Sequence, residues 1–190
     1  MKTTKEKVQD AFASLKGDQG YTNIMQAPRL VKAVVSIGTG KVSDKAKLKT
    51  IEERLARITG QKTSPRPAKK SIASFKLREG DIIGYQVTMR GPRMYSFLDK
   101  LIHVALPQTK DFRGIRTSAI DDMGNITIGI REHTIFPETG DEDVRDIFSF
   151  AITIVTTAKT KNEAEAFFRH IGIPLQAAGT VEKKKKVKKK

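Results

Sequence analysis

Four segments of the chain alternate apolar and polar residues with a period of two, and this pattern constrains the fold more than any other feature. They are RLVKAVVSI at 29–37, SFKLRE at 74–79, IIGYQVTMR at 82–90 and NITIGIR at 125–131. FAITIVTTAK at 150–159 is predicted to be a further strand. Because successive side chains of a strand point to opposite faces of its sheet, each segment is expected to bury one face. In the first segment the predicted inward residues are Val31, Ala33, Val35 and Ile37.

Turn residues and prolines predict how the middle strands are joined. Gly80 and Asp81 separate SFKLRE from IIGYQVTMR, which predicts a β-hairpin between these two segments. Just before them, Pro65 and Pro67 forbid a helix and confine any strand to the edge of a sheet. Residues 61–73 are therefore predicted to be a loop or an edge strand.

Two amphipathic helices are predicted in the first sixty residues. Residues 4–15 place their apolar side chains on one helical stripe, and Gly17 is expected to end that helix. Ser43 is a candidate N-cap for a second helix, which Gly60 would end in the left-handed conformation.

Two more helices follow in the second half of the chain. Pro92 suits the first turn of a helix that is not expected to pass Pro107. Residues 107–124, which show no sustained period, are predicted to be a long surface connection. The last helix has Thr160 and Glu163 as a predicted capping box, and Gly172 lies beyond its end.

Strands and helices interleave irregularly, which is typical of an α+β fold. The prediction is a two-layer sandwich: a mainly antiparallel sheet of four or five strands with about four helices packed on one face. Residues 1–175 are expected to form a single domain. Residues 176–190 are predicted to be a disordered basic tail, because their lysine-rich composition cannot bury a core.

The net charge of +15 is unevenly distributed along the chain. Residues 61–93 carry 8 basic and 2 acidic side chains, whereas residues 94–182 carry 9 basic and 13 acidic ones. This asymmetry indicates one surface for a polyanion and another for a different partner. There is no cysteine, no apolar run long enough to span a membrane and no secretory signal. We therefore expect a cytoplasmic protein without a membrane partner.

Nothing in the sequence supports catalysis, a cofactor or a metal site. SIGTGK at 36–41 lacks the spacing of a P-loop, so a tight strand-to-helix turn is favoured over nucleotide hydrolysis. A third interpretation is that the backbone amides of residues 38–40 approach an RNA phosphate. The three histidines are far apart in sequence, and Asp121 with Asp122 is expected to form a turn.

Two segments carry side chains suited to RNA. In AKKSIASFKLREG at 68–80, four cations flank Phe75, and a ring beside cations can stack on an unpaired base. The alternative is that Phe75 and Leu77 are inward residues of a strand. In NIMQAPRL at 23–30, the amides can read base edges and Arg29 can bind phosphate, unless the segment is only a loop before the first strand.

Seven runs, in the right order over residues 4–175, carry a resemblance to a known family. They are NIMQAPRL, ITGQK, AKKSIASFKLREG, VTMRG, DFRGI, GNITIGIREHTIFPE and ITIVTTAKT. The sequence resembles the bacterial-type large-subunit ribosomal protein numbered five, which binds 5S ribosomal RNA. The resemblance implies a structural component of the central protuberance that helps attach 5S rRNA to the large subunit.

The resemblance also implies further partners and a role for particular residues. The partners are large-subunit rRNA, P-site tRNA, neighbouring 5S-associated ribosomal proteins and a small-subunit head protein. The implied rRNA-binding residues are Asn23, Gln26, Arg29, Gln61, Lys62, Arg66, Thr88 and Arg90. The implied tRNA-contacting loop contains Lys69, Lys70, Ser71, Ser74, Phe75, Lys76 and Arg78. The implied intersubunit contact contains Asp111, Phe112, Arg113, Arg116, Asp141, Glu142 and Asp143.

The sequence leaves a second function open, a free regulatory or chaperone-like RNA-binding protein of the same fold. A phosphate-processing enzyme built on SIGTGK is a third hypothesis, which would require nucleotide turnover that depends on Lys41.

Deleting residues 183–190 should leave folding intact and weaken the salt dependence of RNA affinity. Seven of these eight residues are lysines, and each phosphate contact that is lost should lower the slope of log K against log salt by about 0.7–0.9. Affinities of the full and truncated chains for RNA, measured over a range of salt concentrations, test this. An unchanged slope would mean that these lysines contact no phosphate.

Overall fold

The computed structural model describes residues 2–40, 42, 44–110, 112–139 and 147–176. Its centre is a five-stranded antiparallel sheet, which confirms the predicted α+β class. The strands are β1 (Leu30–Gly38), β2 (Ser64–Pro67), β3 (Ile82–Met89), β4 (Ile126–Ile130) and β5 (Phe150–Thr156). Across the sheet they are ordered β2-β3-β1-β5-β4, so β1 lies in the middle and β2 and β4 form the edges.

Strand β1 pairs with β3 on one side and with β5 on the other. Its inward residues Ala33, Val35 and Ile37 are buried, as the alternation predicts. The prediction for Val31 is wrong, because the register shifts between Leu30 and Lys32. This bulge buries Leu30 and leaves Val31 41% exposed.

The predicted hairpin between SFKLRE and IIGYQVTMR is wrong. Strand β3 pairs with β2, and Ser64 lies opposite Gln86 while Arg66 lies opposite Gly84. Residues 64–67 therefore form the edge strand that their prolines allow. SFKLRE lies in the connection between the two strands, where Ala73–Phe75 is a 3₁₀ turn.

Four helices accompany the sheet: α1 (Thr4–Gln19), α2 (Lys45–Thr59), α3 (Gly91–Lys100) and α4 (Lys161–Ile171). Helix α1 runs past Gly17 and ends at Gly20, which has φ of +68°. Helix α2 is capped by the side chain of Asp44, which accepts from the amide of Ala46, whereas the predicted cap Ser43 lies outside the described residues. Gly60 ends α2 in the left-handed conformation, as predicted.

Helix α3 continues beyond the predicted limit. It passes into a π-helical turn at Leu101–Ala105 and a last α-turn at Leu106–Gln108, so Pro107 lies inside the helix. In the π turn the amide of Leu106 donates to the carbonyl of Leu101. The wider turn accommodates a proline ring that would clash in a regular helix, which is why the expected stop at Pro107 is wrong.

Helix α4 begins at the predicted N-cap, where the Thr160 hydroxyl accepts from the amide of Glu163. The second half of the predicted capping box is not formed. The Glu163 carboxylate instead accepts from the amide of Lys159 at 2.8 Å and from the hydroxyl of Tyr21 at 2.6 Å. Burial and this contact with Glu163 raise the pKa of Tyr21, so the hydroxyl remains the donor.

The helices pack on the inward face of the sheet and are tied to one another by polar contacts. Asp99 on α3 accepts from both the amide and the hydroxyl of Thr4 at the start of α1. The Lys7 ammonium on α1 donates to the carbonyl of Ile171 at the end of α4, at 2.8 Å. Lys100 donates to the carbonyl of Ile58 on α2 and pairs with Glu138. These contacts fix the helical layer against the core.

Within the described residues, no helix is both long and apolar enough to cross a membrane. The sequence predicts that PETGDEDVRD is an acidic turn or short helix. Its described part, Pro137–Thr139, is a 3₁₀ turn. Residues 140–146 lie outside the described residues.

Replacing Asp99 with Ala should lower the free energy of unfolding by about 1–3 kcal/mol, because Thr4 is completely buried and two of its donors would lose their acceptor. Urea denaturation measures this change. Glu53 is an exposed acid on α2 and provides the control. Glu53→Ala should change stability by less than about 0.5 kcal/mol. A comparable loss in both variants would contradict a capping role for Asp99.

Candidate nucleic-acid interface

The outward face of the sheet has a floor of small, uncharged residues. One row across four strands consists of Thr127, Thr153, Val34 and Thr88. The next row consists of Gly129, Ala151, Ser36, Gln86 and Ser64. All of these side chains are exposed or only half-buried, and no described element covers them. We call this surface the open face; five strands make it roughly 19 Å wide.

Positively charged side chains lie at the two ends of the open face, whereas the two rows that form its floor are uncharged. Lys32 and Arg90 lie at one end, since Lys32 pairs with Val155 and Arg90 follows Met89, the partner of Ala33. Arg66 lies at the other end, opposite Gly84. Six residues of β3 separate these ends, which corresponds to about 20 Å. Phosphates at both ends can therefore be neutralised while a less charged part of the ligand contacts the floor.

The predicted residues Gln61, Lys62 and Thr88 meet beside the edge of the sheet. The side-chain amide of Gln61 donates to the backbone carbonyl of Thr88 at 3.3 Å. Lys62 is exposed next to it, and the Thr88 side chain is half-buried on the open face. The structure thus brings these three residues together with Arg66 and Arg90 on the β2–β3 side of the sheet.

The segment before β1 is a 3₁₀ turn, Ile24–Gln26, held together by its own amide side chains. The side-chain oxygen of Asn23 accepts from the backbone amide of Met25 at 3.0 Å, and the side-chain oxygen of Gln26 accepts from the backbone amide of Thr22 at 2.9 Å. The sequence indicates that both side chains can read base edges or 2′-hydroxyl groups, unless the segment is only a loop before β1. Their oxygens are instead used within the turn, which leaves the side-chain NH₂ groups for a ligand.

This turn also exposes two apolar side chains. The sequence does not predict them as site residues, because apolar residues are usually buried. Ile24 is 56% and Met25 is 71% exposed. Arg29 is exposed beside them, with a guanidinium nitrogen 2.6 Å from the Met25 sulfur. Its backbone is fixed to β5, because its amide donates to the Thr157 hydroxyl at 2.9 Å and its carbonyl accepts from the Thr157 amide.

Residues 68–81 form a protruding extension of the β2–β3 hairpin, which we call the hairpin arm. At its base, the amide of Ala68 donates to the carbonyl of Asp81 at 2.8 Å. Nearer the tip, Ile72 and Leu77 form an isolated antiparallel bridge, and the Ser71 hydroxyl donates to the Leu77 carbonyl at 3.0 Å. These hydrogen bonds order the arm without a hydrophobic core of its own.

The predicted tRNA-contacting residues all lie exposed on this arm. They are Lys69, Lys70, Ser71, Ser74, Phe75, Lys76 and Arg78. Phe75 is 70% exposed, so its alternative reading as an inward strand residue is wrong. Lys76 has a φ of +52° and is the one described residue other than glycine with positive φ. A strained residue at this place is consistent with a tip that is shaped for a ligand.

The third predicted surface is described only in part. Asp111, Asp141, Glu142 and Asp143 lie outside the described residues. Phe112 packs against the core, whereas Arg113 and Arg116 are exposed. The loop is attached to residues 174–176, since the Ile115 amide donates to the Pro174 carbonyl and the Gln176 amide donates to the Ile115 carbonyl, each at 2.8 Å.

Two of the three histidines, His133 and His170, have structural partners. His133 is completely buried, stacks on Phe148 at 4.2 Å and lies 3.3 Å from a guanidinium nitrogen of Arg54. A ring nitrogen of His170 lies 2.8 Å from the carbonyl of Lys7. Throughout the described ranges, no three His, Asp or Glu side chains are grouped so that they could hold a metal ion.

The Asp121 carboxylate belongs to a turn, as predicted. It accepts from the amide of Asn125 at 2.6 Å and from the Asn125 side chain at 3.0 Å. Partial burial by itself would raise the pKa of Asp121, but hydrogen bonds from Asn125 and the Met123 amide outweigh it and hold that pKa below its usual value. The carboxylate is therefore committed to the turn and not to acid–base chemistry.

Comparison with known proteins places the chain among ribosomal proteins. The family profile "Ribosomal protein L5" matches residues 23–78, and a second profile, for the C-terminus of the same ribosomal family, matches residues 82–175. The chain is 47% identical to "Large ribosomal subunit protein uL5" of Anaeromyxobacter sp. (strain K), over 86% of this chain and 92% of that protein. It is 46% identical to the uL5 protein of Heliobacterium modesticaldum, over 93% of this chain and 99% of that protein.

Replacing Gly84 with Ala should destabilise the base of the hairpin arm, because a Cβ at Gly84 would lie 2.5 Å from the carbonyl oxygen of Ile37 on β1. An overpacked site of this kind costs about 1–3 kcal/mol. Gly129 on β4 lies on the same face, and a Cβ there would meet nothing within 4 Å. Gly129→Ala should therefore leave stability almost unchanged. Urea denaturation of both variants checks the difference, and equal effects would contradict it.

Proposed function

The chain belongs to the ribosomal protein L5 family, and from this premise we propose that its open face binds 5S rRNA and helps attach that RNA in the central protuberance. As a member of this family, the chain is a structural component of the large ribosomal subunit in the cytoplasm and not an enzyme. Residues 1–175 act as one RNA-binding domain in this proposal.

The observation that carries the proposal is the charge pattern of the open face. The floor is uncharged, and its Gly residue lets a ribose–phosphate backbone approach closely. Its Thr, Ser and Gln side chains offer hydrogen bonds to 2′-hydroxyl groups. The cations at its two ends, with Arg29 and Lys62 nearby, bind phosphates and set the orientation. A surface of this kind recognises a folded RNA by its shape more than by its sequence.

The hairpin arm supports a second contact, to P-site tRNA. It carries four exposed cations and an exposed ring, and it extends beyond the paired ends of β2 and β3. Its hydrogen-bonded base holds the tip in place, so the arm can touch a second RNA while the open face is occupied. Large-subunit rRNA and neighbouring 5S-associated proteins complete the surroundings of the sheet in this proposal.

Fewer described residues support the proposed contact with a small-subunit head protein. Arg113 and Arg116 are exposed on a loop that is fixed to residues 174–176. The acidic side chains of 141–143 belong to the same proposed surface by sequence. An acidic segment repels RNA and suits a basic protein, which is why this surface is assigned to a protein partner.

Sedimentation tests the proposed function as a whole. The protein should migrate with large subunits in moderate salt. It should also bind a 5S transcript more tightly than an unstructured RNA of equal length. A pool that remains with free messenger RNA would support the regulatory or chaperone-like alternative instead.

Two variants should separate the two RNA contacts. Arg29→Ala should weaken binding of 5S rRNA by about tenfold or more, since a charged hydrogen bond is worth about 1.5–3 kcal/mol. Lys69→Glu with Lys70→Glu should leave 5S affinity within about threefold and reduce the affinity of reconstituted ribosomes for P-site tRNA. Filter binding measures both affinities.

Lys5→Ala is the matched control, because Lys5 is an exposed cation on α1, in the helical layer. It should change neither affinity. Equal losses of 5S and tRNA binding in both test variants would show that the two contacts are not separate.

A further inference from the structure

A groove of about 1150 Å³ lies between the hairpin arm and the start of α2. One side is formed by Gly38 at the end of β1 and by the turn residues Thr39 and Gly40, and the other side is formed by Phe75 and Lys76. Leu48 and Tyr85 contribute apolar surface. On this side of the groove the sequence suggests only that the backbone amides of residues 38–40 approach an RNA phosphate, and no predicted RNA contact uses the Thr39 side chain.

The side-chain hydroxyl of Thr39 forms no hydrogen bond with the residues that the structure describes. Thr39 is 2% exposed, and its hydroxyl oxygen is buried. Its backbone is fully used, because the amide donates to the Ile83 carbonyl and the carbonyl accepts from the Val42 amide, each at 2.8 Å. An unsatisfied buried hydroxyl destabilises the free protein. A ligand with a polar edge would remove this penalty, since the residue lines the groove.

The opposite wall provides a stacking surface. Phe75 exposes 70% of its surface in the free protein, although it is a large apolar residue. The 3₁₀ turn that carries it is closed by the hydrogen bond from the Lys76 amide to the Ala73 carbonyl at 3.0 Å, with Lys76 in the left-handed conformation. The ring is therefore held at the groove by backbone geometry and not by burial.

Two lysines and two acids line the groove, and the lysines are the charges left to face a ligand. Glu52 and Asp81 also line it, but each is engaged by the protein: Glu52 by the Thr63 hydroxyl at 3.2 Å, and Asp81 by the Arg78 amide at 2.8 Å. Lys49 and Lys76 form no ion pair with any part of the chain that the structure describes. A planar apolar group with a polar edge and an attached phosphate matches this set of contacts.

We propose that this groove holds one unpaired nucleobase of a bound RNA, with Phe75 stacked on the base, the Thr39 hydroxyl bonded to its edge and the lysines beside its phosphate. The inference rests on the proposed function, because an RNA must be present to supply the base. Stacking on an aromatic side chain with a charged neighbour is a common way to bind an unpaired base.

The test uses NMR of the full chain with adenosine 5′-monophosphate as the probe. Saturable shifts are expected for the amides or side chains of Thr39, Leu48 and Phe75. Ribose 5-phosphate, which lacks the base, should not shift Thr39. Equal shifts with both probes would overturn the proposal in favour of a phosphate site, and so would shifts confined to the open face.

The Thr39→Val variant gives a readout that a purely structural role would not produce. It should raise the midpoint of thermal unfolding, because it removes an unpaired buried hydroxyl, and it should weaken adenosine monophosphate binding by about fivefold or more. Thr59 is the control: it is buried, but its hydroxyl donates to the Leu55 carbonyl at 2.8 Å. Thr59→Val should lower the midpoint and leave nucleotide affinity unchanged. Unchanged affinity in Thr39→Val would overturn the proposal.

A steric variant tests the groove without touching its hydrogen bonds. A Cβ at Gly40 would meet no atom within 4 Å, and this glycine does not have positive φ, so Gly40→Leu should fold and narrow the groove. It should abolish the shift of Thr39. A short peptide with one tryptophan between two aspartates is the competing probe, and tighter binding of this peptide would overturn the proposal in favour of a protein partner.

Failure of this inference can be told apart from failure of the proposed function. If the groove does not bind a base, the Arg29-dependent affinity for 5S rRNA should remain. If the open face does not bind 5S rRNA, adenosine monophosphate should still shift Thr39.

Discussion

The interaction on which the structure depends is the one-sided burial of β1. This strand pairs with β3 and β5 at once, and its residues Ala33, Val35 and Ile37 lie in the core beneath the helices. Its alternate residues Val34 and Ser36 lie in the middle of the open face. A central strand with apolar residues on both sides would require a second layer of helices. The open face exists because the alternation of β1 is matched by its neighbours.

Gly84 leaves room for the carbonyl of Ile37 where the sheet meets the hairpin arm, since a Cβ at Gly84 would lie 2.5 Å from that oxygen. Because β3 lacks a side chain at that point, β1 and β3 stay in register to their ends, and the turn at Thr39 comes directly beside the base of the arm. The arm is thus an extension of the central pairing and not a separate flexible loop. Its position relative to α2, and therefore the shape of the groove, follows from the backbone of the sheet.

The sequence predicts the sheet well because alternation is a local signal that tertiary structure seldom reverses. It fails where a local signal competes with pairing. SFKLRE alternates, but both sides of β3 are already occupied by β1 and by the edge strand at 64–67. Val31 is displaced by a bulge, and Pro107 is accommodated by a π turn. The predicted site residues on the arm are exposed as expected, whereas the buried hydroxyl of Thr39 has no sequence signal, since only packing leaves it unpaired.

In the proposed function, the separation of the cations from the uncharged contact surface lets the protein distinguish a folded RNA from any other polyanion. If the cations lay on the floor, a flexible single-stranded nucleic acid could bind them one after another. Here Arg66 and Arg90 are about 20 Å apart, at opposite ends of an uncharged surface. A ligand can contact both cations and the uncharged surface between them only if its own shape holds its phosphates at that separation. In the proposed function, the rigidity of the sheet is the source of selectivity, and the charges contribute affinity only to a partner that already fits.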